Sequence, residues 1–160
     1  MSQTTMEQRQ EYISRRLCNV RRKVYLLPFF HSRHWQLVLM CMAEYKVIFL
    51  CSTHGEPVPT LVQTINDAMR TFQIDALKNR PSKAKEPKWL RLETRRQPQA
   101  SNLCGQYIMK HMYDIVTKGN TKLYAKMFQC PAPFSDAELE HIRNLFCQYL
   151  YDLILSDQGQ

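Results

Sequence analysis

The sequence predicts an α+β domain in which a central mixed or antiparallel sheet is flanked by helices. Two near-continuous apolar runs, His34 to Met42 and Tyr45 to Cys51, are separated only by Ala43-Glu44. So short a link calls for an antiparallel hairpin, and apolarity on both faces marks buried strands at the centre of the sheet. Around these runs, apolar residues recur at helical spacing in several segments. With 160 residues, 44% of them apolar and 22% charged, the chain fits one domain with a core that needs no staples.

The elements follow in order. Residues 4 to 19 read as a helix capped by Thr4 or Thr5, with Met6, Tyr12, Ile13 and Leu17 roughly along one face. Lys23 to Leu27 is a strand stopped by Pro28, which has no N–H for a ladder. After the hairpin, Ser52 to Pro59 is a loop. Thr60 to Phe72 then places Leu61, Ile65, Ala68, Met69 and Phe72 on one helical face, covering the sheet. Asn79 to Pro87 is a basic surface loop, and Trp89 to Glu93 alternates as a half-buried strand. A helix over residues 104 to 117 stops at Lys118-Gly119-Asn120. The last helix opens on a capping box, Ser135-Asp136-Ala137-Glu138, and is expected to bury Leu139, Ile142, Leu145, Phe146, Tyr149, Leu150 and Leu153. The domain is thus placed at 23–155, between an N-terminal helix with basic linker at 1–22 and a flexible tail at 156–160.

Composition narrows the function classes. No apolar run reaches the ~20 residues of a membrane span. The first five residues lack the shape of a signal peptide, so an intracellular protein, nuclear or cytoplasmic, is expected. Six cysteines are scattered without a C-x-x-C pair, which suggests reduced thiols, with no metal and no cofactor called for. A formal charge of +8 points to an acidic partner surface or to nucleic acid. No helix-turn-helix, zinc or RRM signature accompanies the basic loop near Lys83, Lys85 and Lys88, so nucleic acid is not the expected partner.

The chemistry centres on Cys104. A polar, Pro-broken loop from Arg96 runs into Cys104-Gly105, after which Tyr107, Ile108, Met112 and Ile115 recur at helical spacing. That places Cys104 in a first helical turn, where unpaired N–H groups and the helix dipole favour a thiolate. Two readings stand side by side: a nucleophile, or a small buried hydrophobe. A nucleophile needs a base. His111 lies two turns along the same helix, ~10 Å away, and His141 reads as surface. His34 opens a buried strand beside Trp35, at a sheet end where loops gather.

His34-Trp35 at a strand start, a second strand ending near Cys51-Ser52, and a Gln-Pro loop leading to Cys-Gly-x-Tyr at a helix start resemble the ubiquitin-like-protein-specific (SUMO) protease family. More narrowly, Arg22 to Tyr151 resembles its plant transposon-associated branch. There a His-Trp-Gln-Leu strand precedes a Phe-Cys-Ser strand end, and a Trp-(Ile/Leu) strand and a Cys-Gly-x-Tyr-(Val/Ile)-Met helix come later. The resemblance implies a papain-like cysteine peptidase fold with Cys104 as nucleophile, His34 as base and a preceding glutamine as oxyanion donor. It implies that Trp35 walls a narrow tunnel for the Gly-Gly end of a SUMO-like tail, with a SUMO-like protein or its conjugates as partner, no cofactor, and a monomeric enzyme.

The chain departs from the family pattern at three places. The aspartate that orients the base is replaced by Cys51, a weaker anchor for an imidazolium; Glu56 or a backbone carbonyl could take its place. The glutamine stands six residues before the cysteine in the family, where this chain has Pro98, so Gln97 and Gln99 are both candidates and Gln97 keeps the Gln-Pro pair. The family's N-terminal Trp-Leu-x-Asp segment has no counterpart, so an N-terminally truncated domain is expected. Two functions therefore compete: an impaired deSUMOylating peptidase, and an inactive relic that binds a ubiquitin-like protein.

Overall fold

The structure, a computed structural model, describes residues 5–20, 22–76, 85–118, 128 and 130–157. The Thr4 cap, the loop residues Asn79 to Ala84, the Gly119-Asn120 stop and the final residues 158–160 fall outside these. The elements run α1 (Met6–Val20), β1 (Val24–His31), β2 (His34–Cys41), β3 (Lys46–Leu50), α2 (Pro59–Ala76), β4 (Lys88–Arg91), α3 (Cys104–Lys118) and α4 (Asp136–Asp157). The four strands form one sheet in the order β1-β2-β3-β4. The chain divides into two compact units: Met1–Tyr25, Leu39–Phe49 and Glu56–Arg91 in one, Leu26–Val38, Leu50–Gly55 and Leu92–Gln160 in the other.

In the first unit, Thr5 and Gln8 cap α1 reciprocally: the Gln8 N–H donates to Thr5 Oγ1 (3.3 Å) and the Thr5 N–H to Gln8 Oε1 (2.9 Å). Leu17 is the α1 residue that is fully buried, and the Tyr25 hydroxyl donates to its carbonyl at 3.2 Å. Met6 and Tyr12, expected along the same face, stay exposed. Helix α2 buries Leu61, Ile65, Ala68 and Met69, the spacing its sequence carries. Strand β4 pairs parallel to β3 with Val47 opposite Trp89 and Ile48 opposite Leu90, which makes the sheet mixed. The Trp89 indole N–H donates to Asn66 Oδ1 of α2 at 2.7 Å, fixing β4 under the helix.

The apolar runs become β2 and β3, whose Leu37 to Cys41 and Val47 to Leu50 are buried, as strands covered on both faces require. The β1 expectation needs correction: the strand does not stop at Pro28 but runs through it to His31. Strand β1 lies at the sheet edge, where a residue with no N–H costs no ladder bond on its outer side. The turn from β1 to β2 is only Ser32-Arg33, both at positive φ (48° and 62°), a primed-type hairpin without its usual Gly or Asn.

In the second unit, Tyr107 of α3, Phe134 and Leu139 of α4 form a buried cluster with Leu103 packed on it. The Tyr107 and Phe134 rings meet edge to face at 4.9 Å between centroids. The α4 capping box is present as spelled: Ser135 N–H and hydroxyl both donate to Glu138 Oε2 at 2.9 Å, and the Glu138 N–H donates to Ser135 Oγ at 3.3 Å. Beyond Ile142, however, α4 leaves the core. Leu145, Phe146, Tyr149, Leu150 and Leu153 are all exposed, Tyr149 by 62%, against 5% for Leu139 and Ile142. Periodicity records which face would profit from burial; it does not supply a partner. A helix of 22 residues is ~33 Å long, and its buried residues Leu139 and Ile142 lie in its first two turns.

Candidate active site

The groups of the candidate site, Glu56 apart, all belong to the second unit. Helix α3 begins at Cys104, as its sequence predicts, with the Tyr107 N–H donating to the Leu103 carbonyl at 3.0 Å. Leu103 therefore occupies the capping position with an apolar side chain, which cannot accept from the first-turn N–H groups. Those donors and the positive end of the dipole stay directed at the space over Cys104. The Cys104 side chain is half-buried, and Trp35 packs beside it: a Cβ placed on Gly105 would lie 3.6 Å from Trp35 Cδ1. Trp35, itself 39% exposed, lies beside the helix start and tilts against the exposed Phe30 with centroids 4.9 Å apart.

His34 begins β2 and is half-buried; burial lowers its pKa below the ordinary 6.5. Its Nε2 lies 3.3 Å from Cys51 Sγ and 3.3 Å from Thr53 Oγ1. Among the described residues no hydrogen bond joins His34 to Cys104 and none engages Nδ1, so Nδ1 is the ring nitrogen left for a reacting thiol. Cys51, 2% exposed, follows directly on the last residue of β3. The Gly55 N–H donates to its sulfur at 3.3 Å, the Gln36 amide reaches it at 3.9 Å, and Thr53 Oγ1 lies 3.2 Å away. The candidate substitute Glu56 is engaged elsewhere, in an ion pair with Arg91.

The two candidate glutamines differ sharply. Gln97 is half-buried and anchored at both ends of its amide. Oε1 accepts from the Ser52 hydroxyl at 2.7 Å, while Nε2 donates to the Ser101 carbonyl at 2.8 Å and faces Ser101 Oγ at 3.3 Å. Its backbone N–H donates to the Ser52 carbonyl at 3.0 Å. Gln99 is exposed, in the turn where Ala100 takes a positive φ of 57°. The Gln97 amide is thus fixed in place by Ser52 at its oxygen and by Ser101 at its nitrogen.

Sequence reasoning named Ser52 and Tyr107 only as members of motifs, with no role at the site, and did not single out Thr53 or Ser101. The Tyr107 hydroxyl donates to the Arg96 carbonyl at 3.3 Å and accepts the Phe134 N–H at 3.2 Å, tying the loop before Cys104 to the entry of α4. Arg95 continues the stitch, donating to the Pro133 carbonyl at 3.1 Å with its guanidinium 4.7 Å over the Phe134 ring. The Cys-Gly-x-Tyr spacing was the available signal for Tyr107 and the Cys-Ser strand end for Ser52; Ser101 and Thr53 carried none. His111 is buried between Phe128 and Phe134, with Nε2 3.0 Å from Thr94 Oγ1 and Nδ1 without a partner, and burial pushes its pKa down to about 4. It is a core histidine.

Among the described residues no group of three or more His, Cys, Asp or Glu could hold a metal ion, and no helix is long and apolar enough to cross a membrane. The available chemistry is that of a half-buried thiol at a helix N-terminus, with an indole beside it, a side-chain amide, and an imidazole backed by sulfur and hydroxyl.

No protein-family profile and no curated protein matches the chain by sequence. Among solved structures, it is similar to the SUMO protease Ulp1 with its catalytic cysteine oxidised to a sulfenic acid (TM-score 0.57, 13% identity, covering 96% of this chain and 63% of that one). The sulfonic acid form of Ulp1 gives a TM-score of 0.55 at 14% identity, covering 97% and 63%. The C-terminal Ulp1 protease domain in complex with Smt3, the yeast orthologue of SUMO, gives 0.50 at 12% identity, covering 86% and 57%. The chain spans 63% of the length of the first two structures it matches. With its mixed four-stranded sheet, its helices and a cysteine opening α3, the chain carries the fold of the Ulp1 SUMO protease domain.

Proposed function

We propose that this chain is a cysteine-type peptidase that hydrolyses the bond after the Gly-Gly end of a SUMO-like modifier, with slow turnover. The observation that carries the proposal is the meeting of β2 and β3 at His34 and Cys51 while Trp35 lies against Gly105, the residue after Cys104. In the reaction, His34 Nδ1 takes the Cys104 proton and the sulfur attacks the carbonyl carbon of the terminal glycine. The Cys104 N–H and the Gln97 side-chain amide stabilise the oxyanion. His34 returns the proton to the leaving amine, and water then releases the modifier from the thioester. Trp35 and Gly105 leave a flat, narrow approach suited to residues without side chains.

Slow turnover follows from Cys51. A thiol does not stabilise the imidazolium as a carboxylate does, and loss of the carboxylate costs about four orders of magnitude in a Ser-His-Asp triad. The same residue favours the second reading, a chain that binds a ubiquitin-like protein without cleaving it. The formal charge of +8 suits encounter with an acidic partner surface in either case. The pattern of His34 to Leu37 and the Cys51-Ser52 strand end favour the plant transposon-associated branch, and we place the protein in the nucleus or cytoplasm, as a monomer.

The test is hydrolysis of a fluorogenic amide on the C-terminal glycine of SUMO. Turnover abolished by Cys104→Ser supports the peptidase; binding of SUMO with no turnover above that variant supports the inactive binder.

A further inference from the structure

His34 Nε2, Cys51 Sγ and Thr53 Oγ1 form a closed triangle with sides of 3.3, 3.2 and 3.3 Å. The turn after β3 builds it. The His54 N–H donates to the Cys51 carbonyl at 3.0 Å, and with His54 at a positive φ of 59° the chain doubles back, bringing Thr53 over the sulfur. The Gly55 N–H, which can only donate, already occupies the sulfur at 3.3 Å.

A thiol and an imidazole can share a proton in two ways with opposite consequences. Were Cys51 S–H to donate to Nε2, the neutral ring would carry its proton on Nδ1, and it could not accept the Cys104 proton there. If Nε2–H is the donor instead, Nδ1 keeps its lone pair. A carboxylate enforces the second arrangement because it only accepts. A lone thiol does not. Adding a hydroxyl at 3.2 to 3.3 Å from both atoms gives the thiol proton another acceptor and gives Nε2–H a second, oxygen acceptor. With the proton of the exposed hydroxyl turned to solvent, Oγ1 accepts from Nε2–H and from S–H and the ring proton stays on Nε2, whereas a hydroxyl donating to Nε2 would leave the proton on Nδ1, the outcome that the tautomer measurement separates.

We propose that Thr53 is a positioning residue that holds His34 in the Nε2–H tautomer, replacing the tautomer control, though not the charge, of the missing carboxylate. The inference rests on the peptidase reading for its catalytic meaning, but the tautomer can be measured without turnover. Thr53 is exposed beside its two partners, so substitution there leaves the core intact.

The experiment is nitrogen NMR of histidine-labelled protein at pH 8, with His34 assigned by its loss in His34→Gln, comparing wild type, Thr53→Val and Thr53→Ser. Alkylation of Cys104 by iodoacetamide is followed in parallel, with Cys104→Ser marking the rate of the other thiols. The expected result is an Nε2–H ring in wild type and Thr53→Ser. In Thr53→Val a substantial Nδ1–H population appears and the Cys104 alkylation rate falls ~10-fold, just under the range for a general base. A wild-type ring protonated on Nδ1, or a Thr53→Val ring and rate unchanged from wild type, overturns the inference. If the tautomer shifts as expected while SUMO amides are never cleaved, the peptidase reading fails and the role of Thr53 in positioning stands.

Discussion

Ser52 holds Gln97 at two points: its carbonyl accepts the Gln97 N–H at 3.0 Å and its hydroxyl donates to Gln97 Oε1 at 2.7 Å. Ser52 is 3% exposed and directly follows Cys51, so the residue beside the imidazole anchor also fixes the proposed oxyanion donor. Ser52→Ala removes the hydroxyl and leaves Oε1 short of a partner. The expected cost is about 1–3 kcal/mol in urea unfolding, with faster hydrogen exchange at the Gln97 amide. Unchanged stability and exchange would show that the loop is held by other contacts.

Replacing Cys51 by Asp places an acceptor among donors already present, the Gly55 N–H, the Thr53 hydroxyl and the Gln36 amide. The carboxylate would pair with the imidazolium, raise the His34 pKa and favour the Cys104 thiolate. The rate of Cys104 alkylation at pH 7 is expected to rise ~10-fold or more over wild type. A folded Cys51→Asp protein with an unchanged rate would mean that His34 does not act on Cys104.

Tyr107→Phe keeps the ring in its cluster and deletes the hydroxyl that joins the Arg96 carbonyl to the Phe134 N–H. Both backbone groups lose a partner. A destabilisation of about 1–3 kcal/mol is expected, read as a lower urea midpoint at constant slope. An unchanged midpoint would show that water replaces the hydroxyl without cost.

His111 predicts acid sensitivity. Its pKa is about 4 in the fold and about 6.5 in the unfolded chain, so between these values the unfolded state binds more protons. The contribution to stability is complete above pH 6.5 and is lost as pH falls towards 4, a difference of about 3 kcal/mol from ~2.5 pKa units. His34, also lowered by burial, acts in the same direction, so the titration is compared in a His34→Gln background. Stability that stays flat from pH 6.5 to 4.5 in that background would contradict the burial of a neutral His111.

The two ends of α4 should respond differently. Ile142→Ala, at 5% exposure, is expected to cost about 2–5 kcal/mol, whereas Leu150→Ala, at 39% exposure, costs well under that range. Equal losses would place Leu150 in a buried contact.

What the sequence made legible was local. The runs of β2 and β3, the apolar face of α2, the Ser135 capping box and the helix start at Cys104 each depend on residues close together in the chain. The misread elements depend on something further away. Pro28 stops a strand only if its missing N–H is needed, which depends on β1 being the sheet edge. The burial expected for Phe146 and Tyr149 depends on a partner that periodicity cannot provide. The positions of His34 and Trp35 at the start of β2 and of Cys104 at the start of α3 were legible because each sits at a recognisable element start. The Ser52 bond to Gln97 joins residues 45 apart, and Thr53 acts through a turn with no glycine at its positive-φ position, so neither left a pattern to read.

Whether Cys104 is a nucleophile served by His34 and presented to a SUMO-like tail is tested most directly by a SUMO probe bearing a C-terminal vinyl sulfone. The predicted result is a covalent adduct on Cys104, located by peptide mass spectrometry, that is absent in Cys104→Ser and slowed at least ~10-fold in His34→Gln. Binding of the probe by the intact chain with no adduct at Cys104 would contradict it.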